Sequence, residues 1–515
     1  MSGLKLREHR FLGATSSLCP QCLAVVPAKI VSRNGRVYFR KQCPQHGVRE
    51  DFVCSDERWF DRMEYSLPGK VPASFAVTPQ RGCPYDCGLC TEHEQHTCVA
   101  VLEISTSCNL TCPLCYASSR PGGVHMSVAD CQRAIDFLVR YEGRPEILQL
   151  SGGEPTIHPQ FVEILDYACR QPIDIVMINT NGVRLASDQR LLDELTQRNR
   201  RCEVYLQFDG LDEASSQTLR GEPLLETKLK AIEELGRRDI RTILVCTVET
   251  DVNTDQLGAL VRFGAERPWI TGISFQPATY VGRCPLPETL ERRVTFPDII
   301  KGVAEQSAGV WRTSDFLPLP CAHPNAHSLA YAYREQGRLT PLTRFIDIQN
   351  HLDLLANGIT FNRSSAQELI AEFISRQGCG CAGDCGESAA SSGPGFPSVL
   401  QPGPAGKAIP SSVSAVPLDP EMERMAMSFF RRVLSQDLSP SDVFRITTTS
   451  FMDAYNFDIR QLMKGCVHHL LPSGHLIPFC AYNLLYRDGH VPLPSLSAAG
   501  GRSADSELVT LEVPG

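Results

Sequence analysis

The stretch EISTSCNLTCPLCYA, Glu103–Ala117, decides the fold of this 515-residue chain. It joins the end of a short apolar run (Val101–Ile104), which predicts a strand, to three cysteines spaced C-x3-C-x2-C. A 4Fe–4S cluster commonly takes four cysteine thiolates, and no fourth cysteine follows closely here. We therefore expect Cys108, Cys112 and Cys115 to hold a cluster with one iron open to a small molecule.

The same spacing occurs earlier, at Cys83, Cys87 and Cys90, and there a fourth cysteine, Cys98, follows after a short loop. Four thiolates close a cluster, which can then only pass electrons. One open and one closed cluster predict a redox enzyme whose reaction begins at the second triad. The alternative interpretation of three such cysteines is a structural zinc site.

The run EILQLSGGEP (Glu146–Pro155) decides against a structural zinc site at the second triad. A buried parallel strand (Ile147–Leu150) leads into Gly152 and Gly153, which let the backbone approach a ligand closely. Glu154 can accept hydrogen bonds from an ammonium group. One predicted helix (Val128–Tyr141) separates this run from the cysteines, as a βαβ unit requires.

Together these motifs resemble the radical SAM superfamily, in which the triad follows the first strand of a (β/α)6 partial TIM barrel. The resemblance implies that the open iron chelates S-adenosylmethionine and that its cleavage yields a 5′-deoxyadenosyl radical, which abstracts hydrogen from the substrate. It also implies a low-potential electron donor of the ferredoxin or flavodoxin type. Gly152, Gly153 and Glu154 would bind the methionine amino group. The family's usual aromatic residue before the third cysteine is Leu114 here, and Tyr116 follows that cysteine directly.

Strands and helices alternate beyond this motif, as a barrel requires. Predicted strands are Asp174–Ile178, Glu203–Phe208, Thr242–Val248 and Gly272–Gln276, and predicted helices are Leu191–Gln197 and Leu224–Gly236. Polar residues cluster where the strands end, which is where α/β folds place their sites. By resemblance, Asn179, Gln207 and Asp209 contact S-adenosylmethionine or the substrate; turn capping is the alternative.

A small N-terminal module carries Cys19, Cys22 and Cys43 around a basic hairpin (Lys29–Lys41), with Cys54 following. Four thiolates suit one zinc or one mononuclear iron. The metal either relays electrons, as in a rubredoxin-like site, or only folds the module. We expect Cys54 to be the fourth ligand, with His46 as the alternative.

The C-terminal half carries a third group of cysteines. A hairpin turning at Ser473–Gly474 predicts that Cys466 and Cys480 lie at adjacent strand ends, with Cys321 as a third ligand of another iron–sulfur cluster. The fourth ligand is open among several residues. The candidates are His323, His327, Cys379, Cys381 and Cys385.

Composition agrees with a cytoplasmic iron–sulfur protein. The 22 cysteines fall in metal-ligand spacings rather than in a disulfide pattern. The formal net charge of −8 does not favour binding to nucleic acid. No apolar run is long enough to cross a membrane. The expected cofactors are S-adenosylmethionine, two to three 4Fe–4S clusters and one mononuclear iron or zinc.

The pattern divides the chain into six parts. They are a rubredoxin-like module at 1–70, an auxiliary 4Fe–4S segment at 71–100, the partial barrel at 101–310, an apolar connecting region at 311–387, a flexible linker at 388–418 and a C-terminal auxiliary cluster domain at 419–515. The linker is assigned from its Ser, Gly and Pro content.

The chain resembles one subgroup of this superfamily, which contains tetraether lipid synthases and class D radical SAM methyltransferases. The resemblance rests on the triad and on the motifs CPQHG, RGCPYDCGLC, FMDAYNFD and IPFCAYN. The resemblance implies either coupling of lipid tails, which we expect, or methylation of a pterin-type precursor. A lipid substrate would bring peripheral membrane contact through apolar segments. These segments are Phe316–Leu319, Leu329–Tyr333, Leu342–Leu355 and Met425–Leu434, for which ordinary helix core is the alternative.

Overall fold

The computed structural model describes residues 9–346, 352, 420–435 and 437–497. Three candidate ligands, Cys379, Cys381 and Cys385, and the linker at 388–418 lie outside the described residues. The N-terminal module is an antiparallel sheet in chain order. Its strands are β1 (Arg10–Leu18), β2 (Val25–Arg33), β3 (Arg36–Cys43) and β4 (Gly47–Cys54).

The core of the chain is a βα repeat whose six strands pair in parallel, in the order of the sequence. The strands are β5 (Val99–Ser105), β6 (Ile147–Gly152), β7 (Ile175–Thr180), β8 (Cys202–Gln207), β9 (Thr242–Val248) and β10 (Ile270–Pro277). The helices are α1 (Val128–Glu142), α2 (Phe161–Arg170), α3 (Gln189–Thr196), α4 (Glu213–Arg220), α5 (Leu225–Arg237), α6 (Leu257–Ala265) and α7 (Phe296–Gln306). This confirms the predicted radical SAM-type α/β core with its N-terminal module.

Local sequence explains these elements. The strands are nearly continuous apolar runs because helices cover one face and the barrel interior covers the other. Helix α1 begins after Ser127, whose side chain accepts from the Asp130 backbone N–H. It buries Ala134, Ile135 and Leu138 at helical spacing against the sheet.

The later residues extend the same sheet instead of forming a separate C-terminal domain. Their elements are β11 (Leu317–Pro318), β12 (His327–Glu335), β13 (Arg338–Pro341), α8 (Pro420–Leu434), β14 (Val443–Thr449), α9 (Ile459–Met463), β15 (Val467–Leu470) and β16 (Leu476–Pro478). Strand β14 pairs in parallel with β10, and β15 pairs in parallel with β5. Both edges of the six-stranded core therefore have partners, which removes exposed backbone donors and acceptors.

The apolar segments around β12 and α8 form a buried cluster. Phe316, which packs near Trp311, is buried, and so are Tyr333, Phe345 and Phe429. The Tyr333 and Phe429 rings meet edge to face with centroids 5.2 Å apart. The described parts of these segments are thus core. Among the described residues, no helix has the length and apolar character needed to cross a membrane.

A buried lysine ties the N-terminal module to the C-terminal segment. Lys41 Nζ donates to the backbone oxygens of Leu18, Ala454 and Tyr455 at 3.0, 2.8 and 2.7 Å, and it pairs with Asp51 at 3.1 Å. Burial lowers the pKa of Lys41 to about 8. A buried cation needs such a complete set of acceptors, so this contact fixes how the module docks.

Candidate functional site

A cavity of about 260 Å³ runs along the inside of the barrel, from Val99 and Ile147 at the starts of β5 and β6 to the cysteine loop at the other end of the strands. Cys108, Cys112 and Cys115 line it together with Gly152 and Gly153. The two sequence motifs therefore meet on one wall, as predicted from their positions after β5 and β6. This is the end of a parallel sheet at which α/β folds bind ligands.

An arginine that the sequence analysis missed holds the cysteine loop. The backbones of Cys115 and Arg283 exchange two hydrogen bonds, at 2.8 and 3.0 Å. Arg283 Nε donates to the Cys112 carbonyl at 2.6 Å, and its Nη2 donates to the Ser119 carbonyl at 2.8 Å. Because Arg283 comes from the segment after β10, no local spacing could have identified it.

The two glycines let the loop after β6 approach the cysteine loop. A Cβ on Gly152, whose φ is +130°, would lie 2.1 Å from the Ser105 carbonyl oxygen. A Cβ on Gly153 would lie 2.2 Å from the Ser107 oxygen and 3.1 Å from Cys108 Cβ. The distances of 2.1 and 2.2 Å to the two carbonyl oxygens are far below van der Waals contact, so only glycine fits at these positions.

Glu154 lies behind this wall, almost fully buried. Its carboxylate accepts from Thr156 N at 3.1 Å, Thr180 Oγ1 at 2.7 Å and Asn181 N at 2.7 Å. These bonds join the end of β6 to the end of β7 and order both loops. Contact between Glu154 and a bound ammonium group stays a prediction.

Asp209 does not face the cavity, in contrast to the sequence-based expectation. Arg220 donates to both of its carboxylate oxygens, at 2.8 and 2.7 Å, and Thr247 N donates at 3.0 Å. Arg220 and Thr247 themselves line the cavity, as does the predicted Gln207. Asp209 therefore holds Arg220 in place, and the sequence analysis did not single out Arg220 as a site residue.

Two buried cations shape the electrostatics here. Burial lowers the pKa of Arg220, but the adjacent Asp209 and the Cys112 thiol outweigh it, so the net pKa is raised. Lys228 donates to the Gln207 carbonyl at 2.7 Å and to its Oε1 at 3.0 Å. Burial lowers the Lys228 pKa to about 8. Positive charge therefore lies beside the triad, where bound thiolates would place negative charge.

The remaining predicted contacts, Tyr116 and Asn179, both line the cavity. The Tyr116 ring packs edge to face on Phe479, with centroids 5.1 Å apart. Behind it, Arg487 forms a bidentate pair with Glu103 at 2.9 and 2.7 Å. Asn179 Nδ2 donates to Ser151 Oγ at 2.9 Å, which leaves its carbonyl for a ligand.

The donor set at Cys108, Cys112 and Cys115 fits the cluster that the motif implies. Three soft sulfur donors line one cavity, and Cys480, which also lines it, belongs to a different buried cluster from the triad. Burial raises the pKa of the Cys108 thiol to about 12. Binding of a metal at this thiol would therefore release its proton.

The first triad, Cys83, Cys87 and Cys90, lines a separate small cavity. His93 lines the same cavity, and its Nε2 lies 2.7 Å from the Gly465 carbonyl oxygen. Cys98, which we expected to complete this set, lies in a different buried cluster. The backbone N–H of Cys98 donates to the Cys466 carbonyl, directly before β5 pairs with β15. The chain has therefore already left the first cavity at residue 98.

The third group also differs from expectation. Cys98, Cys321 and Cys466 lie together in one buried cluster, whereas Cys480 belongs to another. The predicted hairpin exists as β15 and β16. After β16 the chain turns into a short helical segment (Phe479–Ala481), which directs Cys480 Sγ to within 3.2 Å of Met452 N. Cys480 therefore lines the cavity that contains the second triad, Cys108, Cys112 and Cys115.

In the N-terminal module, Cys19, Cys22, Cys43 and His46 lie with their ligand atoms within 4.8 Å of one another. The Cys22 and Cys43 sulfurs are 3.8 Å apart, and His46 Nδ1 lies 3.5 Å from the sulfurs of both Cys19 and Cys43. Ligands at about 2.3 Å (sulfur) and 2.0 Å (nitrogen) from one tetrahedral zinc would show similar separations. His46 therefore replaces the expected Cys54, whose thiol donates instead to the Asp56 carbonyl at 3.5 Å.

Comparison with known proteins agrees with this architecture. Residues 11–55 match the family model of the HMPTM N-terminal zinc ribbon domain, and residues 102–264 match that of the radical SAM superfamily. The 7,8-dihydro-6-hydroxymethylpterin dimethyltransferase of Methanocaldococcus jannaschii is 31% identical over 504 residues, which cover 92% of this chain and 94% of that protein. The mycofactocin maturase MftC of Mycolicibacterium smegmatis is 28% identical over 164 residues, 32% of this chain and 40% of that protein.

Among solved structures, that of Streptococcus suis SuiB bound to precursor peptide SuiA has a TM-score of 0.36 and 17% identity, and the match covers 42% of this chain and 46% of that one. That likeness is too low to carry an argument. The whole-length relative and the two matched family models, together with the cysteine triad and the glycine loop, carry the assignment. The chain is a radical SAM protein and belongs to the family of the 7,8-dihydro-6-hydroxymethylpterin dimethyltransferase.

Proposed function

We propose that the protein is a radical SAM methyltransferase that acts on a pterin-type heteroaromatic substrate. The observation that carries the proposal is a set of amide and hydroxyl side chains that line the reaction cavity. They are Gln149, Asn179, Gln207, Ser274, Gln276 and Thr447. A flat ring with several nitrogens and a carbonyl needs donors and acceptors of this kind along its edge.

These groups stand on neighbouring strands and are held by one another. Tyr205 OH donates to Ser274 Oγ at 2.8 Å, and Gln276 Nε2 donates to Tyr205 OH at 3.1 Å. Gln149 Nε2 contacts Met177 Sδ at 3.6 Å, which leaves the Gln149 carbonyl oxygen to accept from a ligand. The site is therefore preorganised, with fixed donors and acceptors, and rejects molecules that leave these groups unpaired.

Aromatic and aliphatic side chains complete the cavity. Tyr116, Phe451 and Phe479 offer faces for a planar ring, and Val101 and Met177 line the cavity further. The implied cluster and S-adenosylmethionine would supply a 5′-deoxyadenosyl radical when bound, with electrons from a low-potential donor. The described residues supply the binding, the orientation and the exclusion of water.

The cavity size favours this proposal over lipid coupling. Small-molecule sites usually enclose roughly 300–1,000 Å³, and this cavity of about 260 Å³ lies just below that range. Two long tails would need extended apolar channels. The segments expected to line such channels, among them Phe316–Leu319 and Leu329–Tyr333, are packed in a buried cluster instead.

The test is anaerobic turnover of the reconstituted holoenzyme with S-adenosylmethionine, a reductant, 7,8-dihydro-6-hydroxymethylpterin and a one-carbon donor, which is either a second molecule of S-adenosylmethionine or a reduced folate-type carrier of a methylene group. The expected product carries methyl groups in place of ring or side-chain hydrogens, which mass spectrometry detects. A parallel reaction with diether membrane lipids should give no coupled tails. Radical formation without methylated pterin, or coupled lipid tails, would contradict the proposal.

A matched pair of variants links the product to the amide groups. Gln149→Leu removes a cavity acceptor and should raise the KM for the pterin by about 10- to 100-fold, the usual cost of an unpaired buried polar group. Gln160→Leu removes an exposed amide on the protein surface and should change nothing. Both variants should retain cleavage of S-adenosylmethionine, which separates substrate binding from radical formation.

A further inference from the structure

We propose that Cys169 and Cys202 form a reversible redox site, at which an anionic low-molecular-weight disulfide converts the two thiols into an intramolecular disulfide. Neither residue belongs to the two cysteine triads, to the N-terminal zinc ribbon or to the C-terminal group of cysteines. The radical reaction leaves this pair unused, so the proposal is independent of the proposed substrate.

The two sulfur atoms are in contact although the residues are 33 positions apart in the sequence. Cys169 Sγ lies 3.4 Å from Cys202 Sγ, and both thiols are free. A disulfide bond is about 2.0 Å long, so the sulfurs have to approach by only about 1.4 Å. A small rotation of the two side chains covers that distance.

Regular structure holds both cysteines in place. Cys169 lies in the last turn of α2, and Cys202 is the first residue of β8. The Cys202 backbone N–H donates to the Arg198 carbonyl at 3.0 Å, and Cys202 pairs with Val176 of β7. In a βα repeat the helices run antiparallel to the strands, so the end of α2 and the start of β8 lie at the same end of the barrel.

A fixed guanidinium group stands beside the pair. Arg201 Nη2 donates to the carbonyls of Gln171 and Ile173, which directly follow α2, at 2.7 and 2.6 Å. These bonds hold the positive charge of Arg201 next to the end of the helix that carries Cys169. Arg170, the last residue of α2, is exposed and adds a second positive charge there. An anionic reagent is therefore attracted to this place.

The surroundings give the two thiols different reactivity. The hydrogen bond from the Cys202 thiol lowers the pKa of Cys169. The charges of Arg201 and Arg198 lower it further, and together these effects outweigh burial and the negative charge of Asp166. The same hydrogen bond and burial raise the pKa of Cys202. Because the thiolate is the reactive form of cysteine, Cys169 is the nucleophile and Cys202 keeps its proton until Cys169 has reacted.

Access to solvent assigns the same roles. Cys169 is half-buried, whereas Cys202 is 1% exposed. A reagent from solution therefore meets Cys169 first, and Cys202 can react only with a sulfur that is already bound at Cys169.

The reaction is a thiol–disulfide exchange in two stages. The Cys169 thiolate attacks one sulfur of the reagent, whose S–S bond breaks and releases one thiolate. Cys202 then gives up its proton, and its sulfur attacks Cys169 Sγ, which releases the second half of the reagent. The two cysteines lose two protons and two electrons in total, and the reagent gains both and becomes two thiols. A dithiol reductant reverses the reaction by the same exchange.

The disulfide would fasten the end of α2 to β8. It closes a loop of 33 residues, which restricts the unfolded chain and stabilises the barrel. The second cysteine triad follows the last residue of β5, at the other end of the strands. Cleavage of S-adenosylmethionine should therefore continue in the oxidised protein.

The experiment exposes the anaerobic, reconstituted holoenzyme to oxidised glutathione, blocks the remaining thiols and maps the peptides by mass spectrometry. The peptides of Cys169 and Cys202 should appear joined by a disulfide that a dithiol reductant removes. Cys131, a buried thiol of α1, is the internal control and should stay unmodified. Unreacted Cys169 and Cys202, or glutathione that stays on Cys169 of the wild type, would overturn the proposal.

Two variants test the order of the steps. Cys202→Ser should stop the reaction after its first stage, with one glutathione retained at Cys169, and Cys169→Ser should leave Cys202 unreacted. Glutathione on Cys202 in Cys169→Ser, formed as fast as the wild-type disulfide, would overturn the assigned roles. The wild-type experiment tests the disulfide even if a serine variant does not fold.

Discussion

The two triads Cys83/Cys87/Cys90 and Cys108/Cys112/Cys115 share one spacing but have different surroundings. The first lines a small cavity against Leu462, Met463 and Pro478. The second lines the cavity inside the barrel, beside the glycine loop of Gly152 and Gly153 and beside the buried Arg220. Spacing therefore predicts the ligand chemistry, because it sets which thiols can share a cluster, and the surrounding chain determines whether a small molecule can reach that cluster.

The largest expected effect is on the cleavage of S-adenosylmethionine, and it should differ between the two triads. Cys112→Ala should reduce the formation of 5′-deoxyadenosine from S-adenosylmethionine to background, because the open iron is lost with its ligand. Cys87→Ala removes the equivalent thiol of the first triad and should leave this cleavage largely intact while product formation stops. Chromatographic assay of 5′-deoxyadenosine under reducing conditions measures both, and the reverse pattern would exchange the roles of the triads.

A glycine in each region provides the next comparison. Gly153→Ala would push the loop from the Ser107 carbonyl by about 1 Å and should weaken binding of S-adenosylmethionine or slow its cleavage by about 100-fold. Gly88→Ala, beside the first triad, meets the Val77 side chain at 2.7 Å and should leave binding unchanged. Equilibrium binding and cleavage rates check the pair. Equal losses in both variants would mean that the glycines serve the fold and not the ligand.

Much of the barrel was predictable because its signals are local. The run Thr242–Val248 forms the predicted strand β9 to the residue, and helix α1 differs from its prediction by one residue at its end. Both elements owe their form to apolar spacing within one segment. The triad and the glycine loop were predictable for the same reason, since each motif is contiguous.

The errors occurred where the partner is distant in the sequence. Cys98 was assigned to the nearest triad, but it meets Cys466 because β5 pairs with β15. Asp209 was taken as a ligand contact, but α4 brings Arg220 onto its carboxylate. Nothing in the spacing of a single sequence reports such pairings, because they arise from strand order and helix packing.

The buried ion pair between Arg220 and Asp209 should have a smaller effect on the cleavage of S-adenosylmethionine. Arg220→Lys keeps the charge but loses the fork that binds both Asp209 oxygens, so Thr247 and the cavity wall lose their fixed position. We expect the rate of S-adenosylmethionine cleavage to fall by about 10- to 100-fold. Arg133→Lys, which changes an exposed pair with Asp130, is the control and should leave the rate unchanged.

The smallest effect on turnover should come from the zinc ribbon, where spacing and surroundings again give different answers. Sequence spacing favours Cys54 as the fourth ligand, but Cys54 ends β4, whereas His46 precedes its first residue. A strand of eight residues separates its ends by roughly 20 Å, so only His46 can reach the sulfurs of Cys19, Cys22 and Cys43. His46→Ala should therefore release the bound metal, and Cys54→Ala should retain it, as metal analysis of the purified variants will show. Because this metal lies outside the reaction cavity, cleavage of S-adenosylmethionine should change by no more than about threefold in either variant, in keeping with a structural site. Retained metal in His46→Ala, together with loss of metal in Cys54→Ala, would show that Cys54 is the fourth ligand.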